Sequence, residues 1–172
     1  VRDSLSIRTA RLELVAATDE LAELAIGNGR ALADRMHARA PKGWPPPLTE
    51  DTQVFMAQTL AAAPSECGWW LWYFLDAAER VLVGQGGFKG PPQDGTIEIG
   101  YSICDIFQRR GYATESVGAL LEWAFVQPGV ERVIAHTYRH LHASIRVMEK
   151  NGLIYLGAGD QEGVIRYGRV RE

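Results

Sequence analysis

What most restricts the fold of this chain is a strand-to-helix transition across Gln108 to Ala113, the run Gln-Arg-Arg-Gly-Tyr-Ala. Thr96 to Ile103 before it reads as a strand, and Thr114 to Val126 after it reads as a helix. A loop of that composition in that position presents several backbone N–H groups in one direction, and the helix macrodipole adds positive potential at the same spot. Arg109 and Arg110 reinforce the potential, and Gly111 lets a ligand approach the backbone because no Cβ intrudes. An anionic diphosphate suits such a place. Taken alone, however, Arg-Arg-Gly is better read as a surface loop with two solvated arginines.

The flanking segments set the fold class. Leu5 to Ile7 and Leu12 to Val15 read as short strands, with Glu13 between apolar neighbours. Thr18-Asp19-Glu20 opens a helix carried on by Leu21, Leu24 and Ala25, and a second helical piece runs from Arg30 to Ala38. Pro41 to Pro47 cannot be helical and reads as a stiff surface loop. A helix then starts at Thr49 to Asp51 and runs to about Ala62. Trp69 to Leu75 is apolar on both alternating faces, as in a strand covered on both sides. Val81 to Phe88 and Thr96 to Ile103 complete a hairpin-linked meander. The helix Thr114 to Val126, a strand Arg132 to Thr137 and a helix Ala143 to Asn151 stopped by Gly152 follow. Ile154 to Leu156 and Val164 to Val170 close the chain as strands. The expectation is an α/β fold with a mixed, mostly antiparallel central sheet and helices on both faces. Its length suits one domain over residues 1–172.

Gln108, Gly111 and Ala113 match Gln/Arg-x-x-Gly-x-Gly/Ala, the acetyl-CoA-binding signature of the GNAT N-acetyltransferase superfamily, which this chain resembles. Glu98-Ile99-Gly100-Tyr101, followed by Gln108 to Glu115, is similar to the branch containing ribosomal-protein N-terminal acetyltransferases. Ser144 to Leu153 resembles that branch's second signature, Asn-x-x-Ser followed by a helix and Lys-x-Gly-Phe. The resemblance is sharp from Val81 to Leu153. It implies that acetyl-CoA is a co-substrate, bound through Gln108, Arg109, Arg110, Gly111, Tyr112, Ala113 and Thr114. It also implies that two parallel strands, Thr96–Ile103 and Arg132–Thr137, splay apart around the pantetheine arm. The backbone of Ser102, Ile103 and Cys104 would then pair with pantetheine amides as an added strand does.

Two residues carry the expected chemistry. Glu98 lies mid-strand, where a carboxylate is costly to bury without a partner or a purpose. A structural pairing with an arginine is one reading, and the resemblance implies the other, a proton acceptor. For Ser144 the resemblance implies a place near the thioester sulfur, against a local backbone-capping role. Leu141 stands where the signature has Asn, and Met148 where many relatives carry Tyr, so the group that protonates the sulfur stays open. The run Gly84 to Gly90 misses the dinucleotide-loop spacing and leads into prolines rather than a helix. Its glycines read as positions of close packing, with substrate or thioester lying over Gly86 and Gly87. His136 ends the strand that should line the cleft, whereas His140 and His142 read as solvated. No cysteine or carboxylate cluster joins the three histidines, so no metal is expected. Trp44 reads either as a wall of the acceptor pocket or as packing for its neighbouring prolines.

The net charge of −3 excludes strong attraction to nucleic acid or anionic membrane. Cys67 and Cys104 form no disulfide framework or metal spacing, no apolar run reaches membrane-spanning length, and the N-terminus lacks a signal-peptide core. A cytoplasmic location is expected. Strand edges near the C-terminus offer a route to a homodimer. The expected activity is acetyl transfer from acetyl-CoA to a primary amine, either a protein N-terminus or a small molecule. The alternatives are a non-catalytic acyl-CoA-binding module and a purely structural domain.

Overall fold

A computed structural model of the chain describes residues 5–172; the first four residues of the domain expected over 1–172 lie outside the described residues. Eight strands form one sheet in the order β1-β2-β3-β4-β5-β6-β8-β7. They are β1 Ser6–Arg8, β2 Leu12–Ala16, β3 Leu71–Asp76, β4 Val81–Phe88, β5 Thr96–Ile103, β6 Arg132–Tyr138, β7 Ile154–Ala158 and β8 Val164–Val170. Five helices accompany them: α1 Asp19–Leu24, α2 Arg30–Arg35, α3 Gln53–Ala62, α4 Tyr112–Val126 and α5 His142–Lys150. Neighbouring strands are antiparallel except β5 and β6, which run parallel.

The sheet separates two cores, and β3 explains how. All six of its residues are buried. Trp72 and Phe74 join Ile97, Ile99, Val117 and Leu120 on the α4–α5 face. Tyr73 and Leu75 join Leu21, Leu32, Leu60 and Leu82 on the α1–α3 face. Side chains alternate across a strand, so a segment apolar at every position feeds both layers.

The parallel seam is short. Thr96 pairs with Arg132, Ile97 with Val133 and Glu98 with Ile134, and there the ladder stops. β5 stays with β4 as far as Ile103, while β6 stays with β8 as far as Tyr138. The sheet therefore opens beyond Glu98, as the expected splay requires.

Some boundaries differ from those read in the sequence. The second helical piece ends at Arg35 rather than Ala38, because His37 takes a left-handed conformation (φ 51°). β3 begins at Leu71 rather than Trp69, since the carbonyls of Trp69 and Trp70 accept the amides of Gly90 and Phe88 at 3.0 and 2.8 Å in a turn. α4 begins at Tyr112, two residues early, because left-handed Gly111 (φ 83°) caps it.

The start of α4 is tied to the end of β3. Tyr112 donates its hydroxyl hydrogen to Asp76 Oδ2 at 2.7 Å. Asp76 Oδ1 accepts the amides of Ala78 and Glu79 at 3.0 and 2.8 Å. The Glu79 amide, helped by Tyr112, holds the Asp76 carboxyl below its usual range even though burial pushes the other way. A carboxylate depressed in the folded state stabilises the fold fully above its ordinary pKa of 3.8, and that contribution fades as pH falls through the lower folded value. Asp76→Asn keeps the shape but loses charge assistance, so it should cost about 1–2 kcal/mol at pH 7. Urea unfolding checks this, and the gap to wild type should narrow in acid.

Candidate active site

The loop after β5 is held by its own side chains. Asp105–Phe107 makes one 3₁₀ turn. Gln108 Nε2 then donates to Ile103 O at 3.1 Å and to Asp105 Oδ1 at 3.0 Å, so this side chain closes the loop from within. Arg109 (φ 60°) and Gly111 (φ 83°) are both left-handed and turn the chain into α4. No side chain caps that helix, and its first intrahelical bond runs from Glu115 N to Gly111 O at 3.1 Å. The amides of Tyr112, Ala113 and Thr114 precede that bond and have no helical partner. Arg110 lies over the Phe107 ring, 5.4 Å from its centroid.

Arg11, in the turn between β1 and β2, braces this loop, a role that no local sequence signal announces. Its Nη1 donates to Arg110 O at 2.8 Å, its Nε pairs with Glu115 Oε2 at 2.8 Å, and its guanidinium lies 4.7 Å from the Tyr112 ring centroid. Glu115 would otherwise oppose an anion at the helix start. Burial pushes its carboxyl up, but the Thr9 hydroxyl at 2.6 Å and the Arg11 contacts outweigh this and hold it below its usual range. The negative charge of Glu115 is thus neutralised at the helix start. Arg11 and Glu115 are 104 residues apart, beyond the reach of any local pattern.

The backbone facing the opening in the sheet differs from that expected. Lys89 N donates to Glu98 O at 3.0 Å and Cys104 N to Val83 O at 2.9 Å. Antiparallel pairing alternates, so Glu98, Gly100, Ser102 and Cys104 turn their backbone groups to β4, and the residues between them turn theirs away. Of Ser102, Ile103 and Cys104, only Ile103 presents its backbone to the opening, and its carbonyl accepts from Gln108. Tyr101 lies beyond the last paired position and presents its backbone there as well. Cys104 is 1% exposed, and burial pushes its thiol up to about 11, so it stays protonated and weakly nucleophilic.

Glu98 projects from the sheet face opposite α4 and α5. Its Oε1 accepts from Lys89 Nζ and lies 3.0 Å from His136 Nδ1. The partners are therefore a lysine and the cleft histidine, not an arginine. The Glu98 and His136 side chains are 20% and 19% exposed, and His136 Nε2 is buried without a partner. On the other face, the Tyr101 hydroxyl reaches α5, 3.1 Å from Ser144 O and 3.2 Å from Ser144 Oγ. Burial raises the Tyr101 phenol despite the opposing bond to Ser144. Met148 is 1% exposed within the core, and Leu141 gives α5 no side-chain cap.

A cavity of about 270 Å³ lies along β4 and β5 beside Glu98, under the segment Pro47 to Thr49. Gly86 and Gly87 line it, and close packing accounts for both glycines. A Cβ on Gly86 would strike Phe74 and Tyr101, and Gly87 (φ 147°) faces the Trp70 carbonyl. Trp44, read as a possible pocket wall, does not line this cavity. It is 6% exposed, packs on Tyr73 with ring centroids 6.3 Å apart, and lies against Gly29. The rest of the proline loop takes its place, because Ser102 Oγ donates to Pro47 O at 2.7 Å and fastens the loop to β5. His140 stacks on Tyr138 at 5.6 Å. Among the described residues, no group of three or more His, Cys, Asp or Glu is arranged to hold a metal ion. No helix among them is long and apolar enough to cross a membrane.

Comparison with known proteins agrees with this architecture. The family model described as an acetyltransferase (GNAT) domain matches residues 11–154. The uncharacterized N-acetyltransferase YjdG of Bacillus subtilis (strain 168) is 32% identical over 84 residues, covering 48% of this chain and 50% of that protein. The chain thus spans about half the length of this curated relative. Two solved structures share the fold. Ribosomal-protein-S5-alanine acetyltransferase from Vibrio fischeri has a TM-score of 0.71 at 14% identity, over 98% of this chain and 97% of that one. The ribosomal L7/L12 α-N-protein acetyltransferase RimL, solved in complex with coenzyme A, has a TM-score of 0.66 at 20% identity, over 96% of this chain and 98% of that one. With the parted strands and the open helix start in place, the family match over most of its length means that the chain belongs to the GNAT acetyltransferases.

Proposed function

We propose that this protein transfers an acetyl group from acetyl-CoA to a primary amine by direct attack with both substrates bound. The observation that carries this reading is a continuity. The uncommitted amides at the start of α4 and the unpaired stretch of β5 at Tyr101 and Ile103 border one opening, which begins beside Glu98. Tyr112, Ala113 and Thr114 would bind the diphosphate through their amides, with Gly111 giving close access and Arg109 and Arg110 adding charge. Gln108 would act indirectly by fixing the loop. The backbone of Tyr101 and Ile103 would pair with the pantetheine arm.

Acetyl-CoA supplies the activated acetyl group. The chain's residues manage protons and charge around it. An amine attacks only when neutral, and an α-amine titrating near ~8 yields more nucleophile at neutral pH than a lysine near ~10.4. Glu98 accepts the amine proton, directly or through a water, while His136 and Lys89 hold the carboxylate in place. The Tyr101 amide faces the opening and stabilises the developing oxyanion. Ser144, hydrogen-bonded to Tyr101, or a water gives a proton to the leaving thiolate and regains one from solvent. Positioning of two bound substrates supplies much of the rate.

An acetylation screen across amines and N-terminal peptides, read by thiol release, tests the proposal. Binding of acetyl-CoA without thiol release for any amine would identify a binding module instead. Glu98→Gln should lower kcat by about 10²–10⁴-fold with little change in CoA affinity. An unchanged rate across pH would remove Glu98 as the base. Arg11→Met should weaken CoA binding about tenfold, about 1.4 kcal/mol, by freeing the loop and releasing Glu115. Calorimetry with CoA reads that change, and kcat at saturating acetyl-CoA should hold.

A further inference from the structure

One half-buried arginine has no partner. Among the described residues, the half-buried arginines are Arg80, Arg166 and Arg169. Arg80 pairs with Glu13 and Arg169 with Glu172, whereas no ion pair or hydrogen bond joins Arg166 to another described residue. Its Nε is buried without an acceptor, while its Nη atoms are not buried and leave the fork of the guanidinium open. Asp160 and Glu162, in the turn after β7, are exposed and do not pair with it. A guanidinium drawn out of water without a carboxylate is costly, and a neutral side chain would fill the place at less cost.

Arg166 stands beside the proposed reaction centre. Ile97, Ile99, Ala135, Ile165 and Tyr167 enter the α4–α5 core, so the alternate residues Glu98, His136 and Arg166 share the opposite face. Glu98 pairs in register with Ile134, two residues before His136, and His136 pairs with Arg166. Glu98 Oε1 lies 3.0 Å from His136 Nδ1, so the carboxylate already reaches the imidazole. From β6 to Arg166 is one further strand spacing, about 4.8 Å. Glu98 and Arg166 therefore flank one imidazole ring. His136 Nε2 is itself buried without a partner, so the ring does not satisfy Arg166. A Cβ built on Gly157, the β7 partner of Arg166, meets nothing within 4 Å, so the guanidinium does not lie over β7.

We infer that the acceptor carries a carboxylate a few bonds from its amine, and that Arg166 binds this carboxylate while the amine meets Glu98. This rests on the acetyl-transfer reading above. The guanidinium fork matches both oxygens of a carboxylate, and a charge-assisted pair of that kind holds its partner in one orientation. An acceptor anchored there has its amine directed across the imidazole to the last paired position before the opening. A second ammonium group in place of the carboxylate would meet Arg166, and on the other side Lys89, so the site selects against polyamines. The cavity along β4 and β5 is left for the rest of the acceptor. The carboxylate can be that of a free amino acid or that of an acidic residue opening a peptide.

The test measures thiol release with glycine, β-alanine and 4-aminobutyrate against their amides, and with an aspartate-initiated tripeptide amide against its asparagine-initiated counterpart. Each kcat/KM is corrected for the neutral fraction of the amine. For wild type, the leading acid should exceed its uncharged counterpart about 10²-fold. A free acid or the tripeptide in the lead identifies the source. Arg166→Gln should collapse that ratio to about one, and Arg166→Lys should restore part of it. Arg169→Gln, which removes a paired cation from the other face, should keep the ratio. The Tm of Arg166→Gln should not fall, because the guanidinium has no partner to lose. A second readout needs no turnover. Calorimetry with the CoA-loaded protein should show the leading acid binding about 10²-fold more tightly than its amide, and Arg166→Gln should bind the two alike. Amides that match their acids, spermidine as the preferred acceptor, or equal losses for acid and amide in Arg166→Gln would overturn the inference. Thiol release with amides alone would remove Arg166 as the anchor and leave acetyl transfer standing. Binding of an acid through Arg166 without thiol release for any amine would uphold the anchor and strike at the acetyl-transfer reading itself.

Discussion

Everything at the site depends on the parting of β5 and β6 after Glu98. A strand edge with unpaired amides and carbonyls is costly inside a sheet, and proteins normally cover or pair it. Here each strand is held firmly on its other side. β6 pairs with β8 at seven positions, and β5 with β4 at five. Neither can swing across to close the opening without breaking an established ladder. The opening is thus a fixed feature of the sheet. The same parting puts Glu98 at the last paired position, where its side chain adjoins the opening yet remains partly shielded.

The helix start that faces this opening is held from two directions. Asp76, at the end of β3, grips the Tyr112 hydroxyl from the sheet, and Arg11 grips the Arg110 carbonyl and Glu115 from the β1–β2 turn. The Arg11 guanidinium also stands beside Gly111, with Nη2 3.2 Å from where a Cβ there would sit, so it adds positive charge at the loop. Both act by removing freedom from the loop, so its left-handed residues stay aligned before any ligand arrives. Preorganised amides stabilise charge better than mobile ones because no reordering accompanies binding. Glu115 shows the same economy, since a carboxylate that would repel an anion becomes a strut once Arg11 and Thr9 neutralise it.

Much of this was legible in the sequence where function is built from consecutive residues. The meander, the Gln108–Ala113 loop and the helix behind it follow one another along the chain, and their local patterns state their geometry. The strand β3 was readable because alternation feeds two cores. Less legible were features that depend on register or on distant partners. Which backbone groups face the opening is fixed by the phase of β5 against β4, so Ser102 and Cys104 exchange places with Tyr101. A one-residue change of phase leaves composition untouched. Arg11 was invisible for the same reason, because its partners lie about a hundred residues away. Trp44 stayed open between a binding wall and packing because aromatic residues among prolines suit both, and its contacts with Tyr73 and Gly29 come from distant parts of the chain.

The two halves of the site also differ in how they are tied together. The proposed coenzyme side is one run of chain folded on itself and braced at its base. The proposed acceptor side is assembled from β4, β5, α3 and the proline loop, and Ser102 Oγ to Pro47 O is the side-chain hydrogen bond that joins this loop to the sheet. Changes within Pro47 to Thr49 can therefore reshape the cavity while leaving α4 and its loop in place. The reverse does not hold, since moving α4 would disturb Asp76 and, through β3, both cores. An arrangement of this kind lets the proposed acceptor end change shape without moving the proposed coenzyme end.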